Sequence, residues 1–329
     1  MKKIIGILVG LLIIFGHHGY ALAVEVDDYP ALQELVSTMV ANDGFTESEL
    51  RSILAGASID EKTLALMDRQ YESLPWYKYR NLFINDERVA RGVEFWKTYE
   101  GLLARAEQEY GVPQEVIVAL IGVETHYGTR IGDKSVLDSL VTLSAAYPRR
   151  SEFFSSELRT FLNMTRKEGI APDSVVGSFA GAIGIPQFMP SSYEAYSVDF
   201  NGNNQRDLVN ETADAIGSVA NYLKVHGWSA GKAIYAPIPR MPESGLPLVT
   251  KRAKPKLGIQ EIKSAGINFD TTGASDKAAV LRLTEETKKR YFVGYRNFYA
   301  ITRYNPSVNY AMAVTELSEA IRVLSLIHI

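Results

Sequence analysis

Glu124 stands where a carboxylate can do acid chemistry. Ile117, Leu120, Ile121 and Glu124 follow the i, i+3, i+4, i+7 spacing of one helix face, which places the carboxyl group on an apolar stripe. Burial disfavours the charged form, so the pKa of such a group rises toward what a general acid needs near neutral pH. The other reading is a glutamate near a helix end pointing into solvent, because Thr125, His126 and Tyr127 lead at once to the helix-stopping Gly128. A second candidate is the loop Gly177-Ser-Phe-Ala-Gly-Ala-Ile-Gly-Ile-Pro-Gln-Phe-Met-Pro-Ser-Ser-Tyr193. Its small residues let main chain approach a ligand, while Gln187, Phe188 and Tyr193 offer an amide and rings; a purely structural turn is the alternative. The loop matches neither a phosphate-binding nor a dinucleotide fingerprint, nor a nucleophile elbow. Third, Asp199, Asn201, Asn203, Gln205 and Asp207 occupy positions 1, 3, 5, 7 and 9 of an EF-hand-like loop. Asn204 replaces the usual glycine at position 6, Asn210 replaces the bidentate Glu at position 12, and Asp214 is the carboxylate left to complete the set. Weak calcium binding and a calcium-free polar turn are both compatible with that pattern.

These groups need a mainly helical frame. Residues 29–54 predict two short helices around Asn42-Asp43-Gly44, the second opened by a capping box at Thr46-Glu-Ser-Glu49. Tyr71, Trp76, Tyr77 and Tyr79 around Pro75 are either core or a sugar platform. Val89, Val93, Trp96, Leu103 and Ala106 predict one amphipathic helix over 88–110, ended by Gly111, and Pro113 opens the helix that carries Glu124. Further helices are expected around 137–147, 151–168 and 212–225. Beyond Trp228, prolines at 237, 239, 242 and 247 break the chain, and Ala279–Leu283 and Tyr291–Tyr304 alternate as strands do. The fold class is therefore mainly α (α+β): a helical region over 24–235 and a small mixed region over 236–323.

Composition excludes several chemistries. The chain has 329 residues, 35 Lys+Arg against 38 Asp+Glu, and no cysteine. Disulfides, thiolate nucleophiles, iron–sulfur clusters and a lipid anchor on cysteine are thereby ruled out. A net charge of −3 argues against a nucleic-acid binder. Lys2 and Lys3, the apolar run Ile4–Phe15 and Ala21-Leu22-Ala23 read as a secretory signal over 1–23, whose apolar run of 12 residues is too short to span a bilayer, which needs roughly 20. Removing it leaves 33 basic against 38 acidic residues and predicts an exported, soluble, periplasmic protein. Leu324 to Ile329 reads as a non-native tail. With His17 and His18 in the signal and His328 in the tail, only His126 and His226 remain, too few for a zinc or iron site.

Taken in order, Val123-Glu-Thr-His-Tyr-Gly128, Tyr147-Pro-Arg-Arg150, the loop 177–193, Asp214-Ala-Ile-Gly-Ser-Val-Ala-Asn-Tyr222 and Thr302-Arg-Tyr-Asn305 resemble the lytic murein transglycosylase B family over nearly the whole mature chain. The resemblance implies a lysozyme-like helical fold with an inserted metal loop. It also implies non-hydrolytic cleavage of peptidoglycan that leaves 1,6-anhydro-N-acetylmuramic acid. Carried over by residue, Glu124 matches the catalytic acid, and Ser178, Gln187 and Tyr222 match groups around the reaction centre. Arg149 and Arg150 match a pair facing the peptide stems. Tyr79, Tyr304 and Tyr310 match aromatics of the saccharide groove, with Phe188 and Asn305 in the matching segments. Asp199, Asn201, Asn203, the main chain of Gln205, and Asp214 match a calcium loop, weakened here because Asn203 stands where Asp is common. No cofactor is required for the chemistry, and a monomer is expected, with other cell-wall enzymes as further partners. Two rivals stay open: a lysozyme-type hydrolase of the same bond, and a non-catalytic glycan-binding protein.

Overall fold

The computed structural model describes residues 24–67 and 74–327; the signal reading over 1–23, Tyr71 and His328 lie outside them. The chain begins with α1 (Pro30–Asn42) and α2 (Glu47–Ala55), whose capping box is formed as expected by Thr46 and Glu49. Then come α3 (Glu61–Met67), α4 (Trp76–Phe83), α5 (Asp86–Thr98), α6 (Glu100–Tyr110) and α7 (Gln114–Thr125). The single helix predicted over 88–110 is two: Tyr99 leaves helical geometry at φ −114° and ψ 24°, ending α5 and starting α6. Its ring packs on Phe95 at 4.7 Å between centroids, which a continuous apolar periodicity does not reveal.

Helix α7 is the buried axis of the molecule. Every residue from Val116 to Val123 is buried, and α5, α6, α11 (Thr212–Val225) and α14 (Val308–Ile327) pack around it. The apolar stripe inferred from spacing is thus the whole circumference. After α7, a two-residue strand β1 (Lys134–Ser135) leads into α8 (Val136–Ala146) and α9 (Ser151–Glu168), and β2 (Val176–Gly177) returns to pair with β1. The glycine-rich loop follows, then α10 (Pro190–Tyr196).

The remaining sheet is antiparallel, with strand order β3 (Tyr235–Ile238), β6 (Lys289–Gly294), β5 (Lys277–Thr284), β4 (Leu257–Gly258), and α12 (Ile259–Ser264) after β4. Alternation along β5 decides its packing. Ala278 and Val280 join a small apolar cluster with Ile238, Ile262 and Phe269, whereas Ala279, Leu281 and Leu283 join the helical core. The predicted strand over 291–304 is half right. Its second half is α13 (Arg296–Tyr304), with Asn297, Phe298, Ile301 and Thr302 buried at helical spacing. Moreover α13 and α14 return to the helical body, so the region read as 236–323 splits, and its last third belongs with α5 and α7. Leu324 packs on the core and α14 continues to an exposed Ile327, through most of the segment read as a tail.

Candidate active site

Glu124 is the penultimate residue of α7, and the chain reverses immediately after it. His126 and Tyr127 both take left-handed backbone, at φ 51° and 61°, before Gly128 at φ 81°. Two consecutive non-glycine residues in that region are strained, and such strain persists only where the surroundings enforce it. Here the enforcement is visible. The Tyr127 ring lies against Gly122 so closely that a Cβ there would sit 2.6 Å from it, and the Tyr127 hydroxyl donates to the Arg88 carbonyl at 2.7 Å. The Arg88 guanidinium in turn donates to the Gly122 carbonyl. Thr125, fully buried, donates through Oγ1 to the Ile185 carbonyl at 2.8 Å and accepts from the Gly128 amide at 3.0 Å. One hydroxyl thus ties the end of the acid-bearing helix to the glycine-rich loop.

That loop is fixed from several sides. The Ile185 amide donates to the Leu208 carbonyl at 2.8 Å, and Gly184, at φ +71°, lies where a Cβ would meet that carbonyl oxygen at 2.2 Å. Only glycine satisfies both demands. Gln187 takes φ 53° and its amide nitrogen donates to the carbonyls of Ile131 and Gly184, at 3.0 and 2.9 Å. Ser178 turns the start of the loop, its hydroxyl oxygen accepting from the amides of Ala180 and Ala182.

The third wall comes from α13 and α14. Tyr310 donates its hydroxyl to Glu124 Oε1. Tyr304 donates to the Pro186 carbonyl at 2.5 Å, joining α13 to the loop, and Tyr222 of α11 donates to the Arg303 carbonyl at 2.5 Å. Phe188, Tyr222 and Tyr304 form one aromatic cluster, with centroid separations of 4.7 to 5.7 Å, and His226 stacks on Tyr222 at 4.0 Å. Burial pushes the Tyr222, Tyr304 and Tyr310 hydroxyls well above their ordinary range, and the Glu124 carboxylate pushes the same way. All three therefore stay protonated donors at neutral pH. Of the carboxylates, Glu124 alone perturbs these three tyrosines among the described residues.

The expected residues are thus sorted by the structure. Glu124, Tyr79, Phe188, Tyr222, Tyr304 and Tyr310 are brought together, while the Gln187 amide is spent on Ile131 and Gly184. Phe188 and Tyr79 are each 2% exposed and Tyr310 3%, so none offers a ring face to a sugar. Tyr310 is the partner of the acid, and Tyr79, packed on Trp76 and Phe83, lies close enough to Tyr310 to raise its pKa. Tyr304 is half-buried, and Asn305 next to it accepts from the Ser307 amide. Arg149 and Arg150 are exposed at the turn between α8 and α9, the latter with its guanidinium over Phe153 at 4.2 Å. Sequence reasoning missed Thr125 and the left-handed pair 126–127. A threonine just before a glycine-stopped helix end was the available signal for the first, and backbone conformation left none for the second.

The loop at 199–214 is closed by its own amides. Asp199 accepts from Gly202, Asn203 and Asn204, Asn203 Oδ1 accepts from Gln205, and Asn204 takes the left-handed turn at φ 68°. Asp214, fully buried, accepts from Phe200, Asn201 and Asp207 amides. By type these oxygens suit a hard cation. Among the described residues no three His, Cys, Asp or Glu gather where they could hold a metal, so any cation here would rely on the amide and main-chain oxygens as well.

Comparison with known proteins agrees with this geometry. The sequence profile of the family described as Transglycosylase SLT domain matches residues 27–319. Membrane-bound lytic murein transglycosylase B of Escherichia coli (strain K12) is 42% identical over 316 residues, 93% of this chain and 86% of that protein. The crystal structure of soluble lytic transglycosylase SltB1 from Pseudomonas aeruginosa is 41% identical with a TM-score of 0.84, over 90% of this chain and 99% of that one. The Escherichia coli lytic transglycosylase Slt35, in complex with calcium, is 43% identical with a TM-score of 0.83, over 93% and 97%. A helical body built around a buried, glutamate-bearing helix and matched along almost its full length places this chain in the SLT-domain transglycosylase family.

Proposed function

We infer that the protein is a lytic murein transglycosylase, cleaving the β-1,4 bond between N-acetylmuramic acid and N-acetylglucosamine without water. The observation that carries the reading is the buried Tyr310 hydroxyl donating to Glu124 Oε1, which leaves the other carboxyl oxygen to handle a proton. Hydrolases of the inverting type hold a second carboxylate about 6.5–9.5 Å away to activate water, and retaining ones hold a nucleophile at about 5–5.5 Å. Glu124 raises the pKa of all three surrounding tyrosines, and a lytic reaction needs no second protein carboxylate. In the non-hydrolytic reaction the substrate supplies the second group itself.

In the first step Glu124 gives its proton to the glycosidic oxygen as the C1–O bond breaks, and the carbonyl oxygen of the muramic acid N-acetyl group closes on C1. Tyr310, donating to Oε1, directs the transferable proton to Oε2 and then stabilises the carboxylate left behind. In the second step that carboxylate takes the proton of the same sugar's 6-hydroxyl, whose oxygen attacks C1 and expels the N-acetyl oxygen. The anhydro ring forms, Glu124 is protonated again, and no water is consumed. Gln187 and Ser178 lie on the loop that faces this chemistry and hold the N-acetyl group, with Tyr304 at the sugar. Arg149 and Arg150, both exposed, meet the peptide stems.

No cofactor takes part in this chemistry. Calcium is at most a weak structural ligand of the loop at 199–214, through Asp199, Asn201, Asn203, Gln205 and Asp214, and no step passes through it. Among the described residues no helix is long and apolar enough to cross a membrane. The signal-like start and the nature of the substrate together support an exported, periplasmic enzyme. The test is mass spectrometry of the muropeptides released from purified sacculi: muramic acid ends one water lighter than reducing ends support the reading, and reducing ends assign a hydrolase.

A further inference from the structure

A cluster of cations lies apart from the groups that surround Glu124. Residues 244–260 contain Lys251, Arg252, Lys254 and Lys256 and no acidic residue, in a chain whose net charge is −3. This segment is a strap over the edge of the C-terminal sheet. It is pinned at one end by the Thr250 amide on the Val280 carbonyl at 2.9 Å and at the other by the Lys256 amide on the Ala278 carbonyl at 3.0 Å. Between the pins the chain arches away from β5, with Ala253 tucked inward and all four cations exposed. None of the four forms an ion pair with another described residue.

The arch creates two hollows. One, of about 320 Å³, has Arg252, Lys254 and Lys256 around it and Leu248, Leu257 and Ala278 beneath. The other, of about 400 Å³, is lined by Lys251, Arg282 and Val308 and shares Thr250 with the first. Val308 opens α14, two residues before the Tyr310 that donates to Glu124. The cationic surface therefore reaches the element that carries the acid's own hydrogen-bond partner.

We propose that this strap is a binding site for the acidic peptide stems of peptidoglycan, additional to the sugar groove. The proposal rests on the reading of the substrate as peptidoglycan. The chemistry required is that of a short peptide with several carboxylates and small apolar side chains. Free carboxylates pair with the three cations around the first hollow, and methyl groups lie on its leucine and alanine floor. Lys251 and Arg282 lead the stem from the glycan at Glu124 toward that hollow.

The test compares the full-length wild type with the triple variant Arg252→Ser, Lys254→Ser, Lys256→Ser on two substrates: intact sacculi, and glycan strands stripped of their stems by an amidase. Three exposed pairs of ordinary strength predict a roughly tenfold rise in KM on intact sacculi at low salt, with kcat retained. On stripped strands the two proteins are expected to behave alike, and 0.5 M salt should erase the difference on sacculi. Equal KM values on intact sacculi overturn the proposal, as does an equal loss on both substrates. A third arm measures sedimentation with phosphatidylglycerol vesicles. Lost vesicle binding with unchanged digestion of sacculi gives the strap to a membrane surface and overturns the stem site. Anhydro ends released by the wild type from stripped strands test the reaction separately, so failure of the enzyme reading and failure of the stem site give different results.

Discussion

Thr125→Val removes one oxygen atom from the joint between the acid and the loop. Valine keeps the volume and shape of threonine, so the buried packing is preserved while two hydrogen bonds disappear. The Ile185 carbonyl loses its donor at 2.8 Å and the Gly128 amide loses its acceptor at 3.0 Å. A buried polar group left unpaired costs about 1–3 kcal/mol, so the pair predicts a loss of about 2–6 kcal/mol. At roughly 2 °C per kcal/mol for a chain of this size, the melting temperature should fall by about 4–12 °C. The catalytic effect is separable. Gln187 and Phe188 follow Ile185 in the same loop, and a shift of about 1 Å in such positioning can lower turnover on the order of 100-fold. Turbidity clearing of sacculi at 25 °C, beside thermal melts by circular dichroism, reads both quantities. Thr125→Ser, which keeps the oxygen, should retain most activity. If the valine variant melts and turns over like the wild type, the claim that this hydroxyl couples acid to loop is wrong.

Three other outcomes follow from the same geometry. Gly184→Ala should destabilise by more than about 3 kcal/mol, because the new Cβ meets the Leu208 carbonyl oxygen at 2.2 Å. Gly44→Ala, with φ +69° but nothing within 4 Å, should show only the backbone strain of about 1–2 kcal/mol; equal melting temperatures for the two variants would count against the clash. Burial, followed by the charges of Arg88, Arg91 and Arg130 and opposed by Glu87, holds the His126 pKa below its ordinary 6.5. The unfolded chain then binds more protons between the two values, so stability rises with pH from the folded pKa up to about 6.5 and is flat above. Burial lowers His226 in the same sense. Replacing His126 with Asn, which tolerates the left-handed backbone, should flatten part of that slope in urea unfolding followed from pH 5 to 7.5. Calcium at 1 mM, for a site with Kd of about 1 mM, should stabilise by only about 0.4 kcal/mol over chelator-treated protein, a shift near 1 °C in differential scanning calorimetry. A shift above 10 °C would reveal a far better cage than the loop at 199–214 presents.

Much of this was legible before the structure, and the failures have physical causes. The turn at Gly44, the capping box at Thr46, Gly111 and Pro113 marked bounds of α1, α2, α6 and α7 because those signals are local. The break at Tyr99 was hidden, since both halves continue one apolar period and only the ring packing on Phe95 distinguishes them. Residues 296–304 passed for a strand because alternation over a short run also satisfies a helix whose buried positions are adjacent pairs. Glu124 was singled out by its spacing on one apolar stripe, whereas α7 is buried on all sides. The tyrosines were assigned to the groove by resemblance, and their burial follows from long-range packing of α4, α11, α13 and α14, which sets Tyr310 on the acid with Tyr79 beside it. Thr125 and the strained pair after it depend on where a loop sixty residues away comes to rest, which no local pattern encodes.

The central claim is that the Glu124 carboxyl group both gives and takes the proton. Glu124→Gln keeps the side chain's shape and a hydrogen-bonding oxygen for Tyr310 but cannot transfer that proton, and general acid catalysis is worth about 10²–10⁴-fold. The measurement is the rate of anhydro-muropeptide release from sacculi by wild type and Glu124→Gln at matched concentration, with melting temperatures recorded alongside. The account predicts a loss of at least about 100-fold with an unchanged fold; a variant that releases anhydro products at the wild-type rate contradicts it.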